Sequence, residues 1–108
     1  MTLKDIARES YRIDVDHGFW DGESDTPIFK AAKIALIHSE LSEALEGIRK
    51  PGPDKHCPEY TVEEVELADS VIRTLIYCER YGLRLEEAIK AKTEVNRARP
   101  YKHGGKTI

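Results

Sequence analysis

The sequence predicts an all-α chain of about four helices, and three observations carry that prediction. Gly and Pro divide the 108 residues into four long segments. Within those segments Ile, Leu and Val recur three and four residues apart, the period of a helix face. No segment alternates apolar and polar residues as a half-buried strand does. A charged share of 34%, against a typical value of about 25%, fits one small domain over residues 1–108 with a large solvated surface.

Thr2 caps a first helix that runs to about His17, with Gly18 as its stop signal and Leu3, Ile6, Ala7 and Ile13 as its apolar pattern. The loop that follows, HGFWDGESDTP, carries Phe19 and Trp20. Thr26-Pro27 opens a second helix, because proline in the first turn lacks only an N–H that would have no partner there. That helix runs to about Ile48, and its expected core stripe is Ile34, Ile37, Leu41, Leu45 and Ile48. The segment KPGPDKHCPEY, Lys50 to Tyr60, has three prolines and a glycine and reads as a loop. Thr61 and Glu64 form a capping box for a third helix with Val65, Ala68, Ile72, Leu75 and Ile76 on its apolar face, ended by Gly82. A fourth helix runs from about Leu85 to Arg97 with Leu85, Ala88 and Ile89 on one side. Pro100 closes it, and residues 98–108 form a basic tail.

No apolar run approaches the ~20 residues that span a bilayer. The opening MTLKDIARES carries acids early and has no secretory apolar core. Two cysteines, Cys57 and Cys78, are too few for a disulfide scaffold, so a reduced, cytoplasmic setting is expected. The net charge of −3 gives no global pull toward a nucleic acid polymer or a membrane. Its placement is uneven. Glu59, Glu63, Glu64, Glu66 and Asp69 follow one another without a Lys or Arg, whereas Lys90 to the end carries net +5. Two readings fit: solvated faces that attract each other, or a cation site beside an anion site.

Charge and spacing leave both open, since helix-borne acid pairs three apart also arise by chance in a chain with 20 acids. Glu40 and Glu43 on the second helix, and Glu66 and Asp69 on the third, are each three residues apart and so project from one face. Two facing helices with such pairs converge four carboxylates, which raise one another's pKa unless a cation joins them. Mg²⁺ with oxygen ligands suits them best. Glu63 and Glu64 are explained as helix N-terminal charges. Asp69 is not, since it lies ~40° from Val65 and ~20° from Ile76 at the border of the apolar face. A salt bridge to Arg73 would account for Asp69 alone, not for Glu40, Glu43 and Glu66 as well. The histidines, His17, His38, His56 and His103, show no zinc spacing with Cys57, and no Glu-x-x-His pair supports a di-iron bundle.

Glu40-x-x-Glu43, a gap of 22 residues and Glu66-x-x-Asp69 resemble the metal motif of the MazG-like nucleoside triphosphate pyrophosphohydrolases. The resemblance runs through KIALIHSELSEALEGIRK, EVELADSVIRTLIY and KTEVNRARPYKHGGK, with Lys92 and Asn96 matching the family's closing Lys-x-x-x-Asn. Ser39 stands where many members have the first of two adjacent acids. The resemblance implies the all-α NTP pyrophosphatase fold, in which two subunits complete each four-helix unit, hence a homodimer or tetramer. It implies the reaction (d)NTP + H₂O → (d)NMP + pyrophosphate. Mg²⁺, or Mn²⁺, would be held by Glu40, Glu43, Glu66 and Asp69, with Glu43 as the base. Related alternatives are a phosphoribosyl-ATP or a dCTP/dUTP pyrophosphatase; a different class is a non-catalytic helical dimer that binds nucleotide.

Lys92 and Asn96 fall within ~20° of the Leu85–Ala88–Ile89 stripe and are expected to face inward, toward a phosphate and sugar or a neighbouring backbone carbonyl. Arg97, Arg99 and Lys102 extend a basic patch suited to a polyphosphate. Lys33, two turns before Glu40, either reaches phosphate or is solvated. Trp20 either stacks on a base or plugs the bundle.

Overall fold

The computed structural model describes residues 1–101, which form four helices: α1 Leu3–Asp16, α2 Pro27–Arg49, α3 Val62–Tyr81 and α4 Leu85–Ala98. The expected boundaries hold to within one or two residues because the caps are local. Thr2, Thr26 and Thr61 each accept a hydrogen bond from the amide three residues on, and Asp5 and Glu64 complete reciprocal capping boxes. Gly82 ends α3 in the left-handed region at φ 63°. The Lys50–Tyr60 segment folds into an ordered loop: Asp54 and Tyr60 pair through the backbone, and the Asp54 carboxylate accepts from the amides of His56 and Cys57.

α3 is the central helix, packed against both α1 and α2. α2 and α3 run antiparallel. Gly47 sits against the start of α3, where a Cβ would stand 3.0 Å from the Glu63 amide nitrogen and 3.1 Å from Val62 Cγ1. Ala44, one turn earlier, is also buried. These two small residues let the backbones approach closely. Toward the other end of the pair, the Lys30 ammonium lies 4.7 Å from the Tyr81 ring. Leu75, Ile76, Ala7 and Trp20 fill the space among α1, α3 and the first loop. Arg80 ties that region together by donating to Tyr11 Oη at 2.7 Å and to the Ser24 hydroxyl.

The expected core of α2 is corrected. Its Ile34–Ile48 stripe is exposed in the single chain, from 39% at Ile34 to 58% at Leu45, with only Ile37 half-buried. The face that packs on α3 is the adjacent one, with Glu40, Ala44 and Gly47, because close approach selects small residues over bulky ones. α4 also differs from expectation. Only Leu85 and Glu86 in its first turn are half-buried; Ile89, Val95, Lys92 and Asn96 are all exposed. The radius of gyration of 16.5 Å exceeds the roughly 13 Å of a compact chain of this length, as an open arrangement with uncovered apolar faces requires.

Candidate metal centre

Close approach at Gly47 sets the register that brings the acids together. Glu40 lies two turns before Gly47 on the same face of α2, and Glu66 and Asp69 follow the start of α3 by one and two turns. One carboxylate oxygen from each of Glu40, Glu66 and Asp69 lies within 4.8 Å of the others. All three are half-buried. Oxygens bound to one Mg²⁺ at ~2.1 Å are at most ~4.2 Å apart, so three hard donors stand close to the spacing such an ion needs.

The electrostatics show what it costs to hold them together. Glu66 is pushed up to about 7, first by its hydrogen bond to Glu40, then by burial and by the charges of Glu40, Asp69 and Glu43. Its carboxyl therefore keeps its proton to higher pH than an ordinary glutamate does, with Glu40 as its hydrogen-bond partner. Glu40 itself is held below the ordinary range: burial opposes its charge, but hydrogen bonds from Glu66 and Arg73 outweigh burial. Asp69 is raised by burial and by the Glu40 charge, with Arg73 opposing and Asp54 adding to the rise.

Arg73 donates from Nε to Glu40 Oε1 at 2.8 Å, across the helix pair and not to Asp69 on its own helix. Both residues line a cleft of about 440 Å³ with Asp14, Phe19, Lys33 and Asp69. Lys33 donates to the Phe19 carbonyl at 3.2 Å, and its ammonium lies 4.4 Å from the centre of the Trp20 ring. The cleft is therefore lined by three acids, Asp14, Glu40 and Asp69, and two cations, Lys33 and Arg73.

Of the residues singled out in the sequence, Glu40, Asp69 and Lys33 line this cleft, and Glu66 stands beside it through its contact with Glu40 and Asp69. Glu43 is exposed beside the trio, near enough to raise Glu66 but outside the tight cluster. Trp20 is buried at 6% exposure, with Tyr11, Phe29 and Tyr81 against its ring. It serves as the plug of the bundle, and the aromatic that opens onto the cleft is Phe19, 60% exposed. Lys92, Asn96 and Arg99 are exposed, and none of them lines the cleft. Arg97 pairs with Glu94 at 2.9 Å. Lys102 lies outside the described residues.

Sequence reasoning missed Asp54 and Asp14, and cast Arg73 only as a partner for Asp69. A signal for Arg73 was available: seven residues after Glu66, it shares that residue's face two turns on. Nothing in the PGPDKH string marks Asp54 as near the acids; only the fold of the loop does. Comparison with protein families, with curated proteins and with solved structures finds no match to this chain.

Proposed function

We propose that the protein is a divalent-cation-dependent nucleoside triphosphate pyrophosphohydrolase that converts a ribo- or deoxynucleoside triphosphate and water to the monophosphate and pyrophosphate. The observation that carries this reading is the meeting of Glu40, Glu66 and Asp69 within 4.8 Å, two of which, Glu40 and Asp69, line a cleft that also presents Lys33. The paired spacings that resemble the MazG-like motif support it further. Mg²⁺ or Mn²⁺ held by these three carboxylates, with Glu43 beside them, supplies neutralisation of phosphate oxygens and a more acidic water.

The chain's own residues do the rest. Glu43, not drawn into the trio, accepts the proton of the water that attacks the α-phosphorus. Lys33 faces the phosphate charge, and Phe19 offers a ring face to the base. Lys92, Asn96, Arg99 and Lys102 hold phosphates and sugar from the fourth helix and tail of a second copy. Two observations favour this dimer or tetramer: α4 contributes nothing to the cleft of its own chain, and the Ile34–Ile48 stripe is uncovered. Both cysteines are free, which suits a cytoplasmic enzyme. No described helix is long and apolar enough to cross a membrane.

Pyrophosphate release across a panel of ribo- and deoxynucleotides, with phosphoribosyl-ATP included, tests the reading and assigns the substrate. Nucleotide binding without release from any of them would instead indicate a non-catalytic module.

A further inference from the structure

Arg73 occupies an unusual position. Its side chain is 40% exposed whereas that of Glu40, which it holds, is 13% exposed. The bond engages Nε, not the two-nitrogen fork that arginine uses for bidentate grips. Its stem is anchored on the central helix, and the residue lines the same cleft as Lys33. Glu40 is thus shared: a half-buried carboxylate within reach of Glu66 and Asp69 is already committed to an arginine.

A divalent ion that takes Glu40 Oε1 competes with the guanidinium for that oxygen. A unit positive charge a few ångströms from a doubly charged ion is repelled by several times the thermal energy even at an effective dielectric constant near 20. Repulsion of that size favours moving Arg73 away when an ion arrives, and an arginine 40% exposed has the freedom to do so. Phosphate oxygens entering the cleft, which Arg73 lines together with Lys33, then offer it a new partner, since the guanidinium fork matches them.

We infer that Arg73 is a partner-exchanging positioning residue, which fixes Glu40 while no divalent ion is present and turns to phosphate oxygens in the cleft once the ion takes Glu40 over. The inference rests on the metal-dependent reading above and adds to it a defined role for a cation that the acidic motif does not contain. It carries a signature that a structural role does not. Removing a merely structural arginine loosens the site and weakens every ligand. Removing a partner-exchanging arginine frees Glu40 for the ion and deprives the phosphates of a contact, so the two affinities move in opposite directions.

Calorimetric titration of the full chain tests this with Mn²⁺ alone, then with inorganic triphosphate in saturating Mn²⁺. Arg73→Gln should bind Mn²⁺ roughly tenfold more tightly and triphosphate roughly tenfold more weakly than the wild type, each about 1.4 kcal/mol. Arg73→Lys, which keeps the charge and serves if the glutamine variant does not fold, should shift both affinities in the same directions by a smaller factor. Unchanged or weaker Mn²⁺ binding, or unchanged triphosphate binding, in these variants overturns the inference. Asp69→Asn separates the two levels. Mn²⁺ binding lost in Asp69→Asn but indifferent to Arg73 leaves the metal centre standing and removes Arg73 from it, whereas no Mn²⁺ binding by the wild type removes both.

Discussion

Arg73 Nε reaches Glu40 Oε1 at 2.8 Å across the α2–α3 pair and leaves Asp69, one turn earlier on its own helix, to the other acids. This cross-helix bond explains the division of charge in the cluster. Glu40 keeps its negative charge because two donors point at it, and the repulsion falls on Glu66 and Asp69, whose carboxyls are pushed up. In the absence of a cation, the Arg73 bond and the hydrogen bond between Glu66 and Glu40 hold the cluster together.

Replacing Glu66 by a neutral hydrogen-bond donor should therefore stabilise the metal-free protein. Glu66→Gln donates the same hydrogen bond to Glu40 without needing to be protonated. Its Tm at pH 8 without metal should rise by a few degrees, on the order of 1 kcal/mol once the open side of the site is discounted for solvent screening. Turnover should fall by on the order of 10²-fold. A lower Tm would mean that the three acids do not strain one another.

The dependence of stability on pH should run opposite to that of an ordinary paired carboxylate. Glu66 titrates at about 7 when folded against an ordinary 4.5, so between those values the folded chain binds more protons than the unfolded one. Stability then falls as pH rises across that window and levels off above it. Asp69, also raised, acts in the same direction. Glu40, held low, loses its contribution only as pH falls below the ordinary carboxylate range. Thermal melts in EDTA should show Tm dropping between pH 5 and 7.5. In Mg²⁺ the drop should shrink, because the ion displaces the proton and binds more tightly as pH rises. A metal-free Tm that climbs over this range would contradict the assignment.

Gly47 tests how the site is built. Gly47→Ala gains about 0.8–1 kcal/mol in helix propensity but drives a methyl into the Glu63 backbone, and overpacking costs ~1–3 kcal/mol. The expected net loss is about 1 kcal/mol. Widening the helix pair should also weaken Mn²⁺ binding although no ligand is touched. A stabilised variant with unchanged metal affinity would show that the close approach does not set the spacing of the acids.

Much of this architecture was legible in the sequence because it is local. Thr26-Pro27, the Thr61–Glu64 box and Gly82 mark helix ends by chemistry confined to one turn, and the three-residue spacing of Glu66 and Asp69 fixes their common face. What was not legible depends on which face meets which. Periodicity identified the Ile34–Ile48 stripe as apolar, but the burial partner of an apolar stripe is not written in it. The face that packs on α3 instead contains Gly47, Ala44 and Glu40, which no hydrophobicity pattern selects. Lys92 and Asn96 illustrate the same limit: their place beside Leu85 and Ile89 says which side of α4 they share, not what covers it.

The uncovered stripe leads to a test of assembly. Sedimentation of the wild type at micromolar concentration should give a dimer or tetramer. Leu45→Glu, which puts a charge at the centre of the exposed α2 face, should shift it to monomer and lower kcat/KM in parallel. The isolated chain should keep its helical circular dichroism, since Leu45 is 58% exposed within it. A wild type that is monomeric and active would contradict the proposed sharing of Lys92 and Asn96 between copies.

The central claim is that the carboxylates of α2 and α3 hold a divalent ion that makes the protein a pyrophosphohydrolase. Its most direct test is the rate of pyrophosphate and nucleoside monophosphate release from the best triphosphate of the panel, in Mg²⁺, in EDTA and with Asp69→Asn. The account predicts equimolar monophosphate and pyrophosphate in Mg²⁺, no release in EDTA with recovery on adding Mg²⁺, and a rate reduced by on the order of 10²-fold or more in Asp69→Asn. Release that persists in EDTA, or an Asp69→Asn rate equal to the wild type, would contradict it.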